Sequence, residues 1–89
     1  MLYPFMTLND GTEIVHSEMY SDGTVKVCIE TPDEKLGFRE ATCWLPMYRW
    51  EHRGYTELEM MYLRHLVVRN TDLIMEFSQT GGIMGADNS

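Results

Sequence analysis

The side chains best suited to chemistry are histidines that stand close to carboxylates. His16 and Glu18 lie two residues apart in a segment that favours a β-strand, and His52 follows Glu51 in a connecting segment. A histidine beside a carboxylate can form an acid–base couple or supply two ligands to a metal ion. The spacings match no metal signature, and the chain has no glycine-rich phosphate loop, nucleophile elbow or HExxH motif. We therefore expect a non-enzymatic protein without metal or cofactor, and a hydrolase using His16 or His52 is the least favoured alternative.

Aromatic and arginine side chains alternate around the turn between the last predicted strand and the predicted helix. Trp44, Tyr48, Arg49, Trp50 and Arg53 make up this cluster. Aromatic rings beside arginines can stack nucleotide bases, so the cluster is a candidate surface for a ligand or for nucleic acid. A small core beneath the connection explains the same residues, because the polar tips of Tyr and Trp can reach water. We favour the small core.

The net charge of −7 argues against a surface that binds nucleic acid through its phosphates. Residues 1–46 carry eight acidic and three basic side chains, and residues 47–89 carry six acidic side chains and four arginines. A partner with a basic surface fits this balance, since complementary charge speeds association. The chain contains no apolar run of the roughly 18–20 residues that a membrane span needs, and no apolar segment with a basic start opens it. We expect a cytoplasmic protein without a membrane partner.

Turn residues predict hairpins in the first half of the chain. Asn9-Asp10-Gly11 and Ser21-Asp22-Gly23 tolerate positive φ and separate runs that favour strands. A polar connection is predicted over residues 31–37, and Pro46 ends the last strand. The four predicted strands cover approximately residues 3–8, 12–19, 24–30 and 38–45.

The second half predicts one long helix. Thr56 and Glu59 have the spacing of a capping box, and Gly81-Gly82 is the expected stop. Asn70-Thr71-Asp72 could divide the helix, but we favour a continuous one. The predicted core-facing stripe consists of Leu58, Tyr62, Leu66, Leu73 and Phe77. The expected fold is α+β, a four-stranded antiparallel meander with the helix packed on one face, in a single domain over residues 1–80 followed by a flexible tail over residues 81–89.

A second apolar stripe on this helix predicts an interface. Its residues are Met60, Arg64, Val67, Val68 and Met75. Single surface hydrophobes are common, but four apolar side chains along one side favour association, and methionine suits adaptable binding surfaces. The hypothesis is a helix-mediated homodimer, or a groove for a basic protein partner.

Part of the sequence resembles a small bacterial family of unknown function. The resemblance rests on Ala41-Thr42-Cys43-Trp44-Leu45-Pro46, on Gly54-Tyr55-Thr56-Glu57-Leu58-Glu59 and on the long helix, which together cover about half the chain. Members carry a strand of roughly A-x-x-W-L-x-P, a G-[FY]-[ST] helix start and one long terminal helix. They are similar to components of toxin–antitoxin-like gene pairs. The opening Met1-Leu2-Tyr3-Pro4-Phe5 is similar to the start of HicB-type antitoxins.

These observations favour a non-enzymatic module that binds a protein or itself. The resemblance implies an antitoxin-like protein or an accessory product of a mobile element. An acidic antitoxin that neutralises a basic toxin would suit the charge. The alternative is a small nucleic-acid-associated regulator that uses the Trp, Tyr and Arg cluster.

Overall fold

A computed structural model describes residues 1–80 of the 89-residue chain. An antiparallel sheet with the strand order β1-β2-β3-β4-β5 carries one helix on one face. The predicted α+β class with two layers is confirmed, whereas four strands is wrong because a fifth strand follows β4. The predicted flexible tail, residues 81–89, lies outside the described residues. The elements are β1 (Leu2–Thr7), β2 (Glu13–Ser17), β3 (Val25–Asp33), β4 (Gly37–Leu45), β5 (Arg49–Arg53) and α1 (Glu57–Thr80).

The unpredicted strand β5 forms one edge of the sheet. Tyr48 adopts a positive φ of 57° in the turn after β4, and Arg49 then pairs with Trp44. The strand occupies the segment that was predicted to be a connection after Pro46, and three of its five side chains are charged, those of Arg49, Glu51 and Arg53. An edge strand tolerates them, because charged side chains at an edge discourage pairing with another chain.

The β3–β4 hairpin extends further than predicted. Pro32 pairs with Phe38 and Asp33 with Gly37, so the predicted connection over residues 31–37 is largely strand. The pairing of β2 with β3 ends at Glu13 and Glu30, so Pro32 has a paired strand on one side only. A proline is tolerated at such a position because it has no backbone N–H to donate to a second strand. The Asp33 carboxylate closes the turn by accepting the backbone N–H groups of Lys35 and Leu36, each at 2.9 Å.

The helix begins as the capping box predicts. The Thr56 N–H donates to Glu59 Oε1 at 2.9 Å, and the Glu59 N–H donates to Thr56 Oγ1 at 3.2 Å. The helix is continuous through Asn70 and Thr71, as favoured. Both side chains turn back and donate to carbonyls four residues earlier at 2.8 Å, so each shares the acceptor of its own helical N–H and remains compatible with a continuous helix.

The helix faces the sheet with the side opposite to the predicted one. Leu58 and Tyr62 of the predicted core stripe are exposed, and Leu66 and Phe77 are only half-buried. The buried helical residues are Met60, Leu63, Val67, Ile74 and Ser78. The physical reason is charge: the observed face holds no charged residue, whereas the predicted arc also contains Arg69 and Glu76.

The core lies between α1 and one face of the sheet. Alternation along β3 and β4 directs every second side chain towards the helix. Within residues 1–80 no second layer covers the opposite face of the sheet. The core cluster consists of Ile14, Val25, Val27, Ile29, Ala41, Cys43, Leu45, Met60, Leu63, Val67 and Ile74.

Candidate binding cleft

A cleft of about 340 Å³ opens between the first turns of α1 and the β1–β2 turn. Its apolar walls are Leu8, which follows β1 directly, and Leu58, Tyr62 and Leu63 from the helix. Tyr62 is 57% exposed although it lies at the cleft. The depression continues along β1 past Met6 and shares Leu8 and Tyr62. The surface therefore combines an apolar groove with an edge strand.

A chain of hydroxyl groups forms the polar floor of the cleft. Thr12 Oγ1 lies 2.6 Å from Thr31 Oγ1, which lies 2.8 Å from Tyr55 Oη. The Tyr55 hydroxyl donates to the backbone carbonyl of Arg39 at 3.2 Å. Either oxygen can be the donor in the Thr12–Thr31 and Thr31–Tyr55 pairs, so the three hydroxyl groups form one connected network. Every hydroxyl group of the floor has a hydrogen-bond partner within the protein.

Arg39 is the charged centre of the cleft wall. Its guanidinium bonds the Glu59 carboxylate, lies 3.3 Å from the Asp33 carboxylate and sits 5.4 Å from the centre of the Tyr55 ring. The capping box positions Glu59, and the turn after β3 positions Asp33. Gly54 lies against the stem of Arg39, where an added Cβ would come within 2.8 Å of its Cγ. The arginine is thus held by three elements.

The titratable groups of the cleft are shifted away from neutral pH. Hydrogen bonds from the Thr12 side chain and backbone lower the pKa of Asp10, and the backbone hydrogen bond from Thr56 lowers the pKa of Glu59. The hydrogen bond to Glu59 raises the pKa of Arg39, and burial raises the pKa of Tyr55. Since a general acid or base works best with a pKa near the working pH, none of these four groups is tuned for proton transfer.

Asp10 stands at the rim of the cleft in an Asx turn. Its Oδ1 accepts the Thr12 N–H at 3.0 Å, and Gly11 follows with a φ of 87°. The turn at Asp22 repeats this geometry with an identical Asp-Gly-Thr sequence, a 3.0 Å hydrogen bond to the Thr24 N–H and a glycine φ of 85°. Asp10 lines the cleft, and no salt bridge involves it among residues 1–80.

The structure separates the residues of the predicted helical interface. Met60 and Val67 are 0% and 1% exposed and belong to the core, so they are wrong as interface residues. Met75 is half-buried against that core, and Arg64 is bonded to Glu57 at 2.8 Å. Val68 alone among the five is largely exposed, at 54%.

The predicted aromatic and arginine cluster is also divided, between the two faces of the sheet. Trp50 packs against the core, and the Tyr48 hydroxyl lies 2.8 Å from Thr71 Oγ1 on the helix. Trp44 and Arg49 are paired on the opposite face, with the guanidinium 4.4 Å from the ring centre. On that face, Arg53 pairs with Glu40 at 3.6 Å and donates to the Phe38 carbonyl at 3.2 Å. The five residues do not form one surface.

The histidines do not converge either. His16 is fully buried beside Tyr3 and Phe5, and its Nδ1 lies 2.8 Å from the Ser17 carbonyl, to which it therefore donates. His52 and His65 are exposed, the first on the sheet and the second on the helix. Within residues 1–80 no group of three or more His, Cys, Asp or Glu side chains could hold a metal ion.

The uncovered face of the sheet carries a row of glutamates. Glu30 of β3 lies directly between Glu13 of β2 and Glu40 of β4. Like charges that face each other across strands destabilise a sheet. Arg53 of β5 pairs with Glu40, so it compensates the negative charge of the β4 member of this row only.

The fold defines an α+β two-layer protein with a five-stranded meander, and the cleft at the start of α1 is its candidate recognition site. No protein-family model, no curated protein and no solved structure matches the chain. Over residues 1–80, α1 is too polar to cross a membrane.

Sequence reasoning did not find the cleft. Its residues come from the β1–β2 turn, β3, β4, the β5–α1 connection and α1, so only the register of the strands brings them together. Two signals bear on it: the capping box that places Glu59, and the Asn9-Asp10-Gly11 turn that places Asp10.

Proposed function

We propose that the protein is a non-enzymatic protein-binding module whose partner inserts a bulky apolar side chain into the cleft. The observation that carries this proposal is a cleft with apolar walls in which the hydroxyl groups are hydrogen-bonded within the protein and Arg39 is paired with Glu59 and Asp33. Such a site offers contact area and shape instead of a group ready for proton transfer. An antitoxin that neutralises a basic toxin would be one protein of this class.

The size of the cleft suits one large anchor side chain supported by contacts at the rim. An aromatic side chain buries about 150–250 Å². At about 25 cal/mol per Å² this contributes about 4–6 kcal/mol. Association itself costs about 4–15 kcal/mol. A single anchor therefore binds weakly, and we expect the partner also to cover the exposed Leu58 and Tyr62 beside the cleft.

The homodimer predicted from the helix loses its proposed surface, because Met60 and Val67 lie in the core. The cleft and the groove along β1 are better placed for a partner, since Leu8 and Tyr62 line both. Self-association through this surface is a separate outcome of the experiment below.

Selection of a random-peptide phage library against the purified protein tests the proposal. Tyr62→Asp places a charge at the cleft, whereas Met61→Asp places the same charge at a neighbouring helical residue that is 59% exposed and does not line it. We expect selected peptides to lose at least tenfold in affinity with Tyr62→Asp and to bind Met61→Asp as they bind the wild type.

Three results would overturn the proposal. The first is the absence of any enriched peptide, and the second is an equal loss of binding in the two variants. The third is a stable dimer in light scattering that Tyr62→Asp dissociates, because the occupant of the cleft would then be a second copy of the chain.

A further inference from the structure

The charges around the cleft do not balance. Two carboxylates, those of Asp33 and Glu59, contact the single guanidinium of Arg39, and a third, that of Asp10, lines the same cleft as Arg39 and Glu59. Arg39 is shared between Asp33 and Glu59, and Asp10 makes no ion pair within residues 1–80. Hydrogen bonds lower the pKa of all three carboxyl groups, so each is charged at neutral pH. The rim of an apolar cleft therefore carries an uncompensated negative charge.

The position of Asp10 places part of this negative charge beside the apolar walls of the cleft. Asp10 lies in the turn that follows Leu8, and both line the cleft together with Tyr62 of the opposite wall. An apolar side chain between Leu8 and Tyr62 would bring its neighbours along the peptide close to the Asp10 carboxylate. Charge complementarity at a solvent-exposed rim favours one partner over another and raises the association rate.

We propose that the cleft selects a protein segment in which Lys or Arg adjoins a bulky apolar residue, with the apolar side chain between Leu8 and Tyr62 and the cation at Asp10. This inference rests on the proposed function and adds the chemistry of the partner. A segment with Asp or Glu beside the anchor is rejected by Asp10 and by the excess of carboxylates around Arg39. The overall charge of −7 acts in the same direction at long range.

Three synthetic peptides test the inference: acetyl-Lys-Trp-Lys-amide and its counterparts in which Ser or Glu replaces both lysines. Binding to the full chain is followed by amide chemical shifts in NMR titrations. We expect the lysine peptide to shift the amides of Leu8 and Tyr62 and to bind about three- to fivefold more tightly than the serine peptide, the size expected for one exposed ion pair. We expect the glutamate peptide to bind most weakly, and the differences to shrink between about 20 mM and 0.5 M salt, because salt screens exposed charges.

The two Asp-Gly-Thr turns supply a matched pair of variants. Asp10→Asn and Asp22→Asn change the net charge equally, and asparagine keeps the Asx turn in both. We expect Asp10→Asn to abolish the preference for lysine over serine and Asp22→Asn to retain it. An equal effect of the two variants would overturn the inference, because the preference would then come from net charge alone.

Other results separate this inference from the proposed function. If the three peptides shift the cleft amides with equal affinity, the charge selection is refuted and the cleft still binds a peptide. If none of them shifts those amides, the inference is refuted, and the phage selection with Tyr62→Asp and Met61→Asp decides the proposed function independently.

Discussion

Replacing Gly54 with alanine should destabilise the protein more than the same replacement at Gly23. Both glycines have positive φ, at 91° and 85°. A Cβ at Gly54 would lie 2.8 Å from Arg39 Cγ and 3.0 Å from Leu36 Cδ1, whereas a Cβ at Gly23 would meet no atom within 4 Å. The pair therefore separates backbone strain, which both variants share, from a clash that only Gly54→Ala has.

The magnitudes follow from these two terms. A left-handed conformation costs an alanine about 1–2 kcal/mol. Alanine also lowers the conformational entropy of the unfolded chain, which offsets about 0.4–1 kcal/mol of this cost. Gly23→Ala should then lose about 1 kcal/mol of unfolding free energy. Gly54→Ala must also move the stem of Arg39, whose guanidinium is held by Asp33 and Glu59, and overpacking of this kind costs about 1–3 kcal/mol more.

Urea unfolding at 25 °C measures both losses under the same conditions. Arg39→Ala provides the second test, because in that background the contact with Cγ is gone and the additional cost of Gly54→Ala should fall. Equal losses for Gly54→Ala and Gly23→Ala would refute the reasoning, as would an additional cost that persists unchanged without the arginine side chain.

Three further predictions concern the core and the sheet. Val67→Ala should cost about 2 kcal/mol in urea unfolding because the side chain is buried, whereas Val68→Ala should change stability by less than about 0.5 kcal/mol. Glu30→Lys should raise the unfolding free energy by about 0.5–1 kcal/mol, since it replaces repulsion from both neighbouring strands with attraction. Burial raises the pKa of the Cys43 thiol to about 12 from 9.0, so stability should fall between pH 9 and pH 12 as the unfolded chain ionises first, and Cys43→Ala should weaken this fall.

Each of these predictions has an outcome that contradicts it. Equal losses for the two valine variants would mean that the helix does not face the sheet as described. A lower unfolding free energy for Glu30→Lys would mean that the row of glutamates is not a source of repulsion. Parallel pH profiles of the wild type and Cys43→Ala would show that the thiol ionises equally in the folded and unfolded chains.

The elements that depend on local chemistry were predicted well from the sequence. The Asp10 and Asp22 turns close their hairpins with carboxylate hydrogen bonds to the backbone, and Thr56 and Glu59 start the helix. These interactions join residues two or three positions apart, so the sequence pattern contains all the groups that form them.

The face of the helix that packs on the sheet was not predicted, because the predicted stripe was chosen by its apolar residues without regard to the charged residues beside them. The stripe through Leu58 and Tyr62 is apolar, but Arg69 and Glu76 share its arc. The buried face also includes Ser78, a polar residue whose hydroxyl is satisfied by the Met75 carbonyl at 2.7 Å. Burying a charge without a partner costs far more than burying a hydroxyl that has one, so the face without charge is the one that packs on the sheet.

The fifth strand was missed because edge strands have a different composition from central ones. Arg49 and Arg53 lie on the uncovered face of the sheet, and the stacking of Arg49 on Trp44 pairs residues that are neighbours across β4 and β5. The same residues in the sequence suggested one aromatic cluster. The alternation of a strand instead sends Trp44 and Trp50 to opposite faces, so a prediction of β5 would also have divided the cluster.

The two Asp-Gly-Thr turns show why local sequence does not identify the cleft. Thr24 directs its hydroxyl to Asp22 of its own turn at 2.6 Å, which closes a self-contained unit. Thr12 instead bonds Thr31, nineteen residues away, and through it reaches Tyr55. The same tripeptide is thus a simple turn at residues 22–24 and part of the cleft floor at residues 10–12. The difference arises because Thr12 lies beside Thr31 of β3. The proposed preference of Asp10 for a cation therefore depends on its neighbours in the sheet and helix and not on its local sequence. Asp22→Asn is the matched control because Asp22 has the same local sequence without those neighbours.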